Sequence, residues 1–170
     1  MRKIALAAVL LVTALPLAAP AMDVTTDPSA LKWGPPPPSL PPGAQVAVVS
    51  GDPGKDGPYV VRAKLPAGYT IAPHTHPTDE NVTVLSGTFY IAMGDKLDKK
   101  KGAAVKAGGF FRAEQGMQHY GWTPRGATIQ VHGMGPFVVN YVNPADDPRN
   151  KPAAQAKPAT TGSDMSNMKK

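Results

Sequence analysis

Turn-forming glycine and proline residues interrupt this sequence every eight to twelve residues between Gly51 and Pro136. No window between them is long enough to show the apolar stripe and capping residues of a helix. The segments instead alternate between apolar and polar residues with a period of two, as in YVVRAKL at 59–65 and TIQVHG at 128–133, which is the pattern of strands. Many short strands at regular spacing predict an all-β sandwich or barrel.

The segments that flank this region differ from it in composition. The chain from 22 to 43 carries the runs PPPP and PPG, which remove backbone donors and predict an extended leader. From Pro144 onward large apolar residues are nearly absent, so the segment buries too little surface to offset the entropy of ordering. The 170 residues are therefore predicted to form one domain at 44–143, between a disordered proline-rich leader at 22–43 and a disordered tail at 144–170.

The first 21 residues have the three parts of a signal peptide. Arg2 and Lys3 precede an apolar run that is too short to span a bilayer, and small residues end the segment at Ala19-Pro20-Ala21. We therefore predict that residues 1–21 are removed, and that the mature protein is periplasmic or secreted without a stable membrane anchor. The chain has no cysteine, so its core, or its core and a metal, has to hold the fold without disulfides.

The charge of the chain gives no sign of a nucleic-acid partner. Without Arg2 and Lys3, the 18 basic residues become 16, and against 12 acidic residues the mature chain carries a net charge of +4. The one dense basic run, KLDKKK at 96–101, is short and has no interleaved aromatic residues. It is therefore predicted to be a solvated loop.

The stretch HTHPTDE at 74–80 concentrates residues that bind metals. On a strand, His74 and His76 point to the same face, and the proline-containing turn after them lets Glu80 bring its carboxylate back over that face. Imidazole nitrogens and a carboxylate oxygen suit zinc, manganese, iron and nickel. His119, at the end of the next apolar run, is available as a fourth ligand.

At these positions the sequence resembles the cupin family. The first cupin motif is G-x5-H-x-H-x3,4-E-x6-G, and its fixed positions are all matched, by Gly68, His74, His76, Glu80 and Gly87. The second motif is G-x5-P-x-G-x2-H-x3-N, and it is matched in part, by Gly108, Gly116 and His119. Glu114 replaces its proline and Thr123 replaces its asparagine.

The resemblance extends over about residues 44–142 and implies a single antiparallel jelly-roll β-barrel. It also implies that His74, His76, Glu80 and His119 bind one divalent transition metal at the mouth of the barrel. Three nitrogens and one oxygen suit iron, manganese, zinc, nickel and copper, so the identity of the metal stays open. The expected partner is a small-molecule ligand or substrate, and since cupins often pair through exposed strands, a homodimer is one expected assembly.

Two further residues are candidates for catalysis. Glu114 lies five residues before His119 and is a general acid or base if it turns inward, although an exposed loop carboxylate is the more common situation. His132 lies on the strand face opposite Ile129 and Val131, so it either lines a polar cavity or faces solvent. Aromatic candidates for a pocket wall, or for ordinary barrel packing, are Tyr90, Tyr120 and Trp122.

Four protein ligands on an octahedral ion leave two positions for water, substrate or dioxygen. We therefore expect a metal-dependent enzyme that acts on a small organic molecule, of dioxygenase type or else a lyase or isomerase. A non-catalytic binding or sensing module and a purely structural metal site are the alternatives on the same fold. The sequence has no nucleophile elbow, Walker loop or dinucleotide-binding motif that would favour other chemistry.

Overall fold

The computed structural model describes residues 26–151. The predicted signal peptide, and the part of the predicted tail beyond residue 151, lie outside the described residues. The strands in this range are β1 (Gln45–Ser50), β2 (Gly57–Leu65), β3 (Thr70–Thr75), β4 (Glu80–Met93), β5 (Ala103–Lys106), β6 (Phe110–Ala113), β7 (His119–Trp122), β8 (Ala127–Gly135) and β9 (Asn140–Tyr141). No helix between residues 26 and 151 has the length and apolarity to cross a bilayer.

The strands form two antiparallel sheets that share β4. In the first sheet β1 pairs with β2, β2 with β8, and β8 with the first half of β4, which also pairs with β6. In the second sheet β9 pairs with β3, β3 with β7, and β7 with the second half of β4, which also pairs with β5. The two sheets curl around one interior, and the predicted antiparallel jelly-roll barrel is confirmed.

Strand β4 passes from one sheet to the other at Gly87. Its first half pairs with β8 as far as the Gly87–Ala127 pair, and β5 begins to pair with it at Thr88. Gly87 has φ 76°, and a Cβ there would overlap the carbonyl of Gly126. The last fixed glycine of the first motif is therefore required twice, by the left-handed backbone and by the close approach of the neighbouring strand.

The apolar side of the alternating pattern lines the barrel interior. The core consists mainly of aliphatic and aromatic side chains of β2, β4 and β8, among them Tyr59, Val61, Ala63, Leu65, Val82, Val84, Ile129 and Val131. Burial of one such large apolar side chain is worth roughly 1.5–3 kcal/mol. The polar side faces out, where Arg62 donates to the side-chain oxygen of Gln130 at 3.0 Å.

A second, smaller cluster lies on the outer face of the second sheet. Tyr120 and Trp122 are buried there with Ala92, and Tyr90 packs against them. The lysine-rich loop after β4 covers this cluster, since the hydroxyl of Tyr120 donates to the carbonyl of Asp98 at 3.0 Å. These aromatic residues pack beneath the loop and form no wall of the interior cavity, because alternation along β7 turns them away from the face of His119.

The proline-rich leader is attached to the barrel over its described residues. Gly34 and Val46 exchange two backbone hydrogen bonds of 2.9 Å, which adds the leader to the edge of β1. The hydroxyl of Tyr69 donates to the carbonyl of Pro41 at 2.6 Å, and that of Tyr141 donates to the carbonyl of Ser39 at 2.9 Å. Proline lacks the N–H group, so the leader offers mainly carbonyl acceptors, and the two tyrosines supply the donors.

Ordered structure also continues past the predicted end of the domain. Two 3-10 turns, Pro144–Asp146 and Pro148–Asn150, follow β9. The guanidinium of Arg149 pairs with Asp147 at 2.7 Å and donates to the carbonyl of Val139 at 3.0 Å. The first residues of the predicted tail therefore fold back onto the barrel.

Candidate metal centre

His74 and His76 enter the barrel interior from β3 and from the residue just after it. The strand ends at Thr75, which is half-buried, whereas the two histidines are 4% and 3% exposed. Their rings lie 4.9 Å apart between centroids. The predicted orientation of both imidazoles toward one face is what the strand produces.

His119 and Glu80 reach the same place because each is the first residue of a strand. His119 begins β7 and is paired directly with His74 of β3. Glu80 begins β4 after the predicted turn, and the hydrogen bond from the N–H of Gly116 to the carbonyl of His76, at 2.9 Å, holds the loop before β7 beside that turn. Three chain segments therefore converge at one end of the barrel.

The three histidines form a candidate metal group, and Glu80 lies beside two of them. One ring nitrogen from each of His74, His76 and His119 lies within 4.8 Å of the others. The Oε2 atom of Glu80 is 3.6 Å from Nε2 of His76 and 3.4 Å from Nε2 of His119. Two atoms that each bind an ion at ~2.1 Å lie ~3.0–3.4 Å apart for octahedral to tetrahedral angles, so the separation of Glu80 from His119 already fits shared coordination, and that from His76 would have to shorten slightly.

Hydrogen bonds at the far side of each ring set the orientation of the histidines. The Nδ1–H groups of His74, His76 and His119 donate to backbone carbonyls, those of Ala72 at 2.8 Å, Val138 at 2.6 Å and Met117 at 2.9 Å. A carbonyl only accepts, so each ring carries its proton on Nδ1 and presents the Nε2 lone pair to the centre. Metal-binding histidines are oriented in this way.

The Nε2 atoms of His76 and His119 are buried and have no hydrogen-bond partner among the described residues. Buried polar atoms are almost always paired, and leaving one unpaired costs about 1–3 kcal/mol. A divalent ion held between these nitrogens and Glu80 would satisfy both. The residues present therefore fit a bound metal.

Burial and charge prepare the same side chains for metal binding. Burial, together with the neighbouring His119 and His76 rings, lowers the pKa of His74 to about 3, so its imidazole is neutral at physiological pH. Burial alone would raise the pKa of Glu80, but hydrogen bonds and positive charge from His119 and His76, which these rings supply when they are protonated, hold it well below its usual range. The cluster thus offers a neutral nitrogen and an ionised carboxylate, the protonation states that ligands require.

A cavity of about 850 Å³ opens beside the ligands, and His74, His76 and Glu80 form part of its wall. Aliphatic residues of the barrel interior and residues of the leader form most of the remaining wall. Ligand sites in proteins typically measure ~300–1,000 Å³ and have mostly apolar walls with a few polar groups. The cavity therefore has the size and composition of a small-molecule site.

The structure does not bring the two predicted catalytic residues to this centre. Glu114 lies in the loop after β6, with its side chain 57% exposed and paired with Arg112 at 2.7 Å. His132 lies on the outer face of β8, where its ring is 6.5 Å from that of Phe110, because Val131 beside it on the strand points inward. Neither side chain lines the cavity.

The two departures from the second cupin motif leave the ligands in place. Glu114, at the proline position, is on the surface as described. Thr123, at the asparagine position, is fully buried, and its hydroxyl donates to the carbonyl of Thr88 at 2.9 Å. Its backbone N–H also donates to the carbonyl of Tyr69 at 3.0 Å. Thr123 therefore ties the end of β7 to β4 and to the turn before β3.

Two contributors to the centre carry no signal in the sequence. Phe137 stacks on the ring of His76, with centroids 5.0 Å apart and planes 29° apart, and the carbonyl of Val138 accepts the proton of His76. Both follow the GMGP turn and belong to no motif. A backbone carbonyl has the same chemistry in every residue, so only the tertiary structure could reveal this one.

The curled barrel, its interior histidine triad and the nearby glutamate define a protein of the cupin class. A family profile described as the ChrR cupin-like domain matches residues 21–138, and the chain belongs to this family. The matched range includes the whole proline-rich leader, in agreement with the contacts of the leader to the barrel. No curated protein sequence matches the chain.

Solved structures share the fold at low sequence identity. The polyketide cyclase RemF from Streptomyces resistomycificus is 18% identical, with a TM-score of 0.60 over 75% of this chain and 91% of RemF. A protein of Methylibium petroleiphilum PM1 named as a candidate acetylacetone dioxygenase is 17% identical, with a TM-score of 0.59 over 78% and 90% of the two chains. An RmlC-like cupin from Shewanella frigidimarina NCIMB 400 is 12% identical, with a TM-score of 0.52 over 66% and 90%.

Proposed function

We propose that this chain is a metal-dependent enzyme of the oxygenase type that acts on a small organic molecule held in the barrel cavity. The observation that carries the proposal is the position of the ligand cluster. His74, His76 and Glu80 form part of the wall of a cavity of about 850 Å³, and His119 completes the cluster behind them. A ligand in the cavity would therefore lie directly against the ion.

Each residue of the centre has a distinct role in this proposal. The three histidines hold the ion through Nε2, and Glu80 adds the negative charge that favours a divalent cation. The ion, when bound, would supply a Lewis acid with open positions for a chelating substrate and for dioxygen. The apolar walls exclude bulk water, which strengthens every electrostatic contact inside the site.

The absence of a spare proton carrier favours oxygenase chemistry over a lyase or isomerase. Lyases and isomerases need a positioned acid or base. Among the described residues that line the cavity, the titratable side chains are the ligands themselves and Lys32, which is exposed. Oxidation by dioxygen at a metal makes less use of such a protein group. The names of two fold neighbours, a candidate dioxygenase and a cyclase, are compatible with enzymatic use of this barrel.

The small number of titratable side chains among the described lining residues also favours one alternative, a binding or sensing module in which the metal anchors a ligand without chemistry. Such a module needs a cavity and a metal but no acid or base. A chelating ligand that raises the melting temperature and is recovered unchanged after long incubation in air would identify it.

We also propose that the protein is exported and acts in the periplasm or outside the cell. The support is the charged, apolar and small-residue pattern of residues 1–21. Fractionation of cells that express the full chain, with N-terminal sequencing of the product, tests this proposal. A mature chain that begins near Met22 in the periplasm or medium is expected, and an intact Met1 in the cytoplasm would contradict it.

Elemental analysis of the untagged mature protein tests the enzymatic proposal first. About one redox-active metal per chain, absent from His74→Ala and His119→Ala, is expected. Oxygen consumption is then measured with a panel of small chelating compounds. A protein that holds no metal, or that binds only zinc and consumes no oxygen, would contradict oxygenase function.

A further inference from the structure

Apart from the metal ligands, the barrel wall of the cavity is apolar. Its lining side chains come mainly from β2, β3, β8 and the segment after β8, and they include Val61, Leu65, Ile71, Ile129, Val131 and Phe137. None of these side chains offers a hydrogen bond. A ligand body that lies against them exchanges water for hydrocarbon contacts alone.

Few polar side chains line the cavity. Among the described residues they are the metal ligands His74, His76 and Glu80 and, from the leader, Thr26, Lys32 and Ser39, of which Thr26 and Lys32 are exposed. The polar contacts available to a ligand are thus mainly those of the metal and of the exposed groups of the leader.

The leader contributes apolar side chains to the wall of the cavity. Leu31 is 9% exposed although it lies among prolines and polar residues, and Leu40 is half-buried. Both line the cavity. Besides its bonds to Val46, Tyr69 and Tyr141, the leader is held by the Lys64 ammonium, which lies 4.0 Å above the ring of Trp33.

The hydroxyls of Tyr69 and Tyr141 donate to the carbonyls of Pro41 and Ser39, so the barrel holds the leader at these two points as well. A wall with such attachments at several points keeps its shape, so its side chains can select among ligands.

We propose that the cavity takes a ligand with one metal-binding oxygen head group and an extended apolar body, and that Leu31 and Leu40 select for that body. This inference rests on the proposed metal site and narrows its substrate class. A polyhydroxylated or zwitterionic body of equal length would leave its polar groups unpaired against the aliphatic walls. Each polar group that loses water without gaining a partner carries a cost, and the costs of several such groups on one body add up.

Hydroxamic acids with different side chains allow the contributions of the head group and of the body to the binding affinity to be measured separately. The untagged mature protein is loaded with zinc and titrated calorimetrically with acetohydroxamic, hexanohydroxamic and octanohydroxamic acids, and with gluconohydroxamic acid as the polar match to the six-carbon chain. Affinity is expected to rise by up to about fourfold per methylene along the alkyl series. Gluconohydroxamic acid is expected to bind no more tightly than acetohydroxamic acid.

Variants of the leader test the role of Leu31 and Leu40. Leu31→Ser and Leu40→Ser should each weaken the binding of octanohydroxamic acid by about tenfold, while the affinity for acetohydroxamic acid should be unchanged. Leu31→Met conserves the volume of the side chain and should retain the preference for long alkyl chains. This variant shows that substitution at position 31 does not by itself disrupt the fold. The matched control is Leu97→Ser, because Leu97 is 46% exposed and lies outside the cavity lining.

The outcomes distinguish this inference from the proposed metal site. Equal affinity for the hexano and glucono compounds, with binding that still needs zinc, would overturn the apolar-body inference and leave the metal centre standing. Chain-length dependence that is unchanged in EDTA-treated protein would overturn the metal-bound head group and with it the proposed metal site. Leucine variants that bind octanohydroxamic acid like the Leu97→Ser control would overturn the role of the leader.

Discussion

The Nδ1–H of His76 donates to the backbone carbonyl of Val138, 62 residues further along the chain, at 2.6 Å. This single bond fixes the tautomer and the orientation of His76, which follows β3 of the second sheet. The acceptor belongs to the segment after β8, a strand of the first sheet. The segment is itself held by the hydrogen bond from Arg149 to Val139. The metal centre therefore depends on residues well beyond the two motif regions.

Loss of a ligand should remove the metal. His76→Ala or His119→Ala deletes a buried nitrogen donor and should weaken metal binding by at least ~10–100-fold, which is the cost of losing even an outer-shell partner. Elemental analysis after gel filtration in trace chelator checks it. His132→Ala is the matched control, because His132 lies on the outer face of β8, and it should keep full occupancy. Full occupancy in both ligand variants would rule out the ligand assignment.

Phe137 should be needed to hold His76. Its ring stacks on His76 at 5.0 Å and meets the ring of Tyr59 edge-on at 5.9 Å. Phe137→Ala should lower the free energy of unfolding by less than the ~3–5 kcal/mol of a fully buried phenylalanine, since the residue is half-buried, and should also weaken metal binding. Urea unfolding and metal titration measure the two effects, and Phe137→Leu should restore most of the stability. Unaltered metal affinity in Phe137→Ala would show that the Val138 carbonyl alone orients the ring.

Gly121 should not tolerate a side chain. A Cβ there would lie 2.6 Å from Cε1 of Phe89 and 3.2 Å from the carbonyl oxygen of Tyr90. Gly121→Ala should therefore lower the free energy of unfolding by about 1–3 kcal/mol, the typical cost of overpacking. Gly34→Ala, where no atom lies within 4 Å of the new Cβ, is the control. The double variant Gly121→Ala with Phe89→Leu should recover part of the loss in urea unfolding, and equal stability of the two single variants would refute the packing argument.

Two truncations should separate the contribution of residues 146–151 from that of the rest of the tail. Deletion of residues 146–170 removes Arg149 and its hydrogen bond to the carbonyl of Val139, so it should lower the melting temperature measurably and weaken metal binding. Deletion of 152–170 removes a stretch of alanine, lysine, serine and threonine with few large apolar residues and should change neither. Differential scanning calorimetry of both truncated proteins decides, and identical melting curves would show that the Arg149 contact is dispensable.

The sequence predicted the part of the site that lies along single strands. His74 and His76 share a face because strand geometry requires it, and Glu80 returns to that face because a short turn follows. Glu114 and His132 show the limit of this reasoning. Each is near a ligand or an apolar residue in sequence, but the face on which each lies depends on where the barrel interior is, and local spacing does not determine that.

The leader is a case in which the sequence failed to predict residues that contribute to the site. Its prolines predict extended backbone, whereas the described residues pair with β1 at Gly34 and also form a 3-10 turn at Pro28–Ala30 and further turns at 38–39 and 42–43. Their composition gives no reason to expect a buried Leu31 or a role in a cavity wall. That role exists because the tyrosine hydroxyls and the edge of β1 lie within reach of the carbonyls of the leader once the barrel has formed.

By itself, the sequence determined the alternating strands, the turns between them and the motif that brings three histidines and a glutamate within reach of one metal. These are properties of short range, set by backbone geometry and side-chain chemistry. Only the tertiary structure decided which strand faces are interior, that the leader and the segment after β8 complete the cavity and orient His76, and that the walls are aliphatic. Those features arise from contacts between residues far apart in the chain, which become neighbours only when burial of the shared core brings the two sheets together.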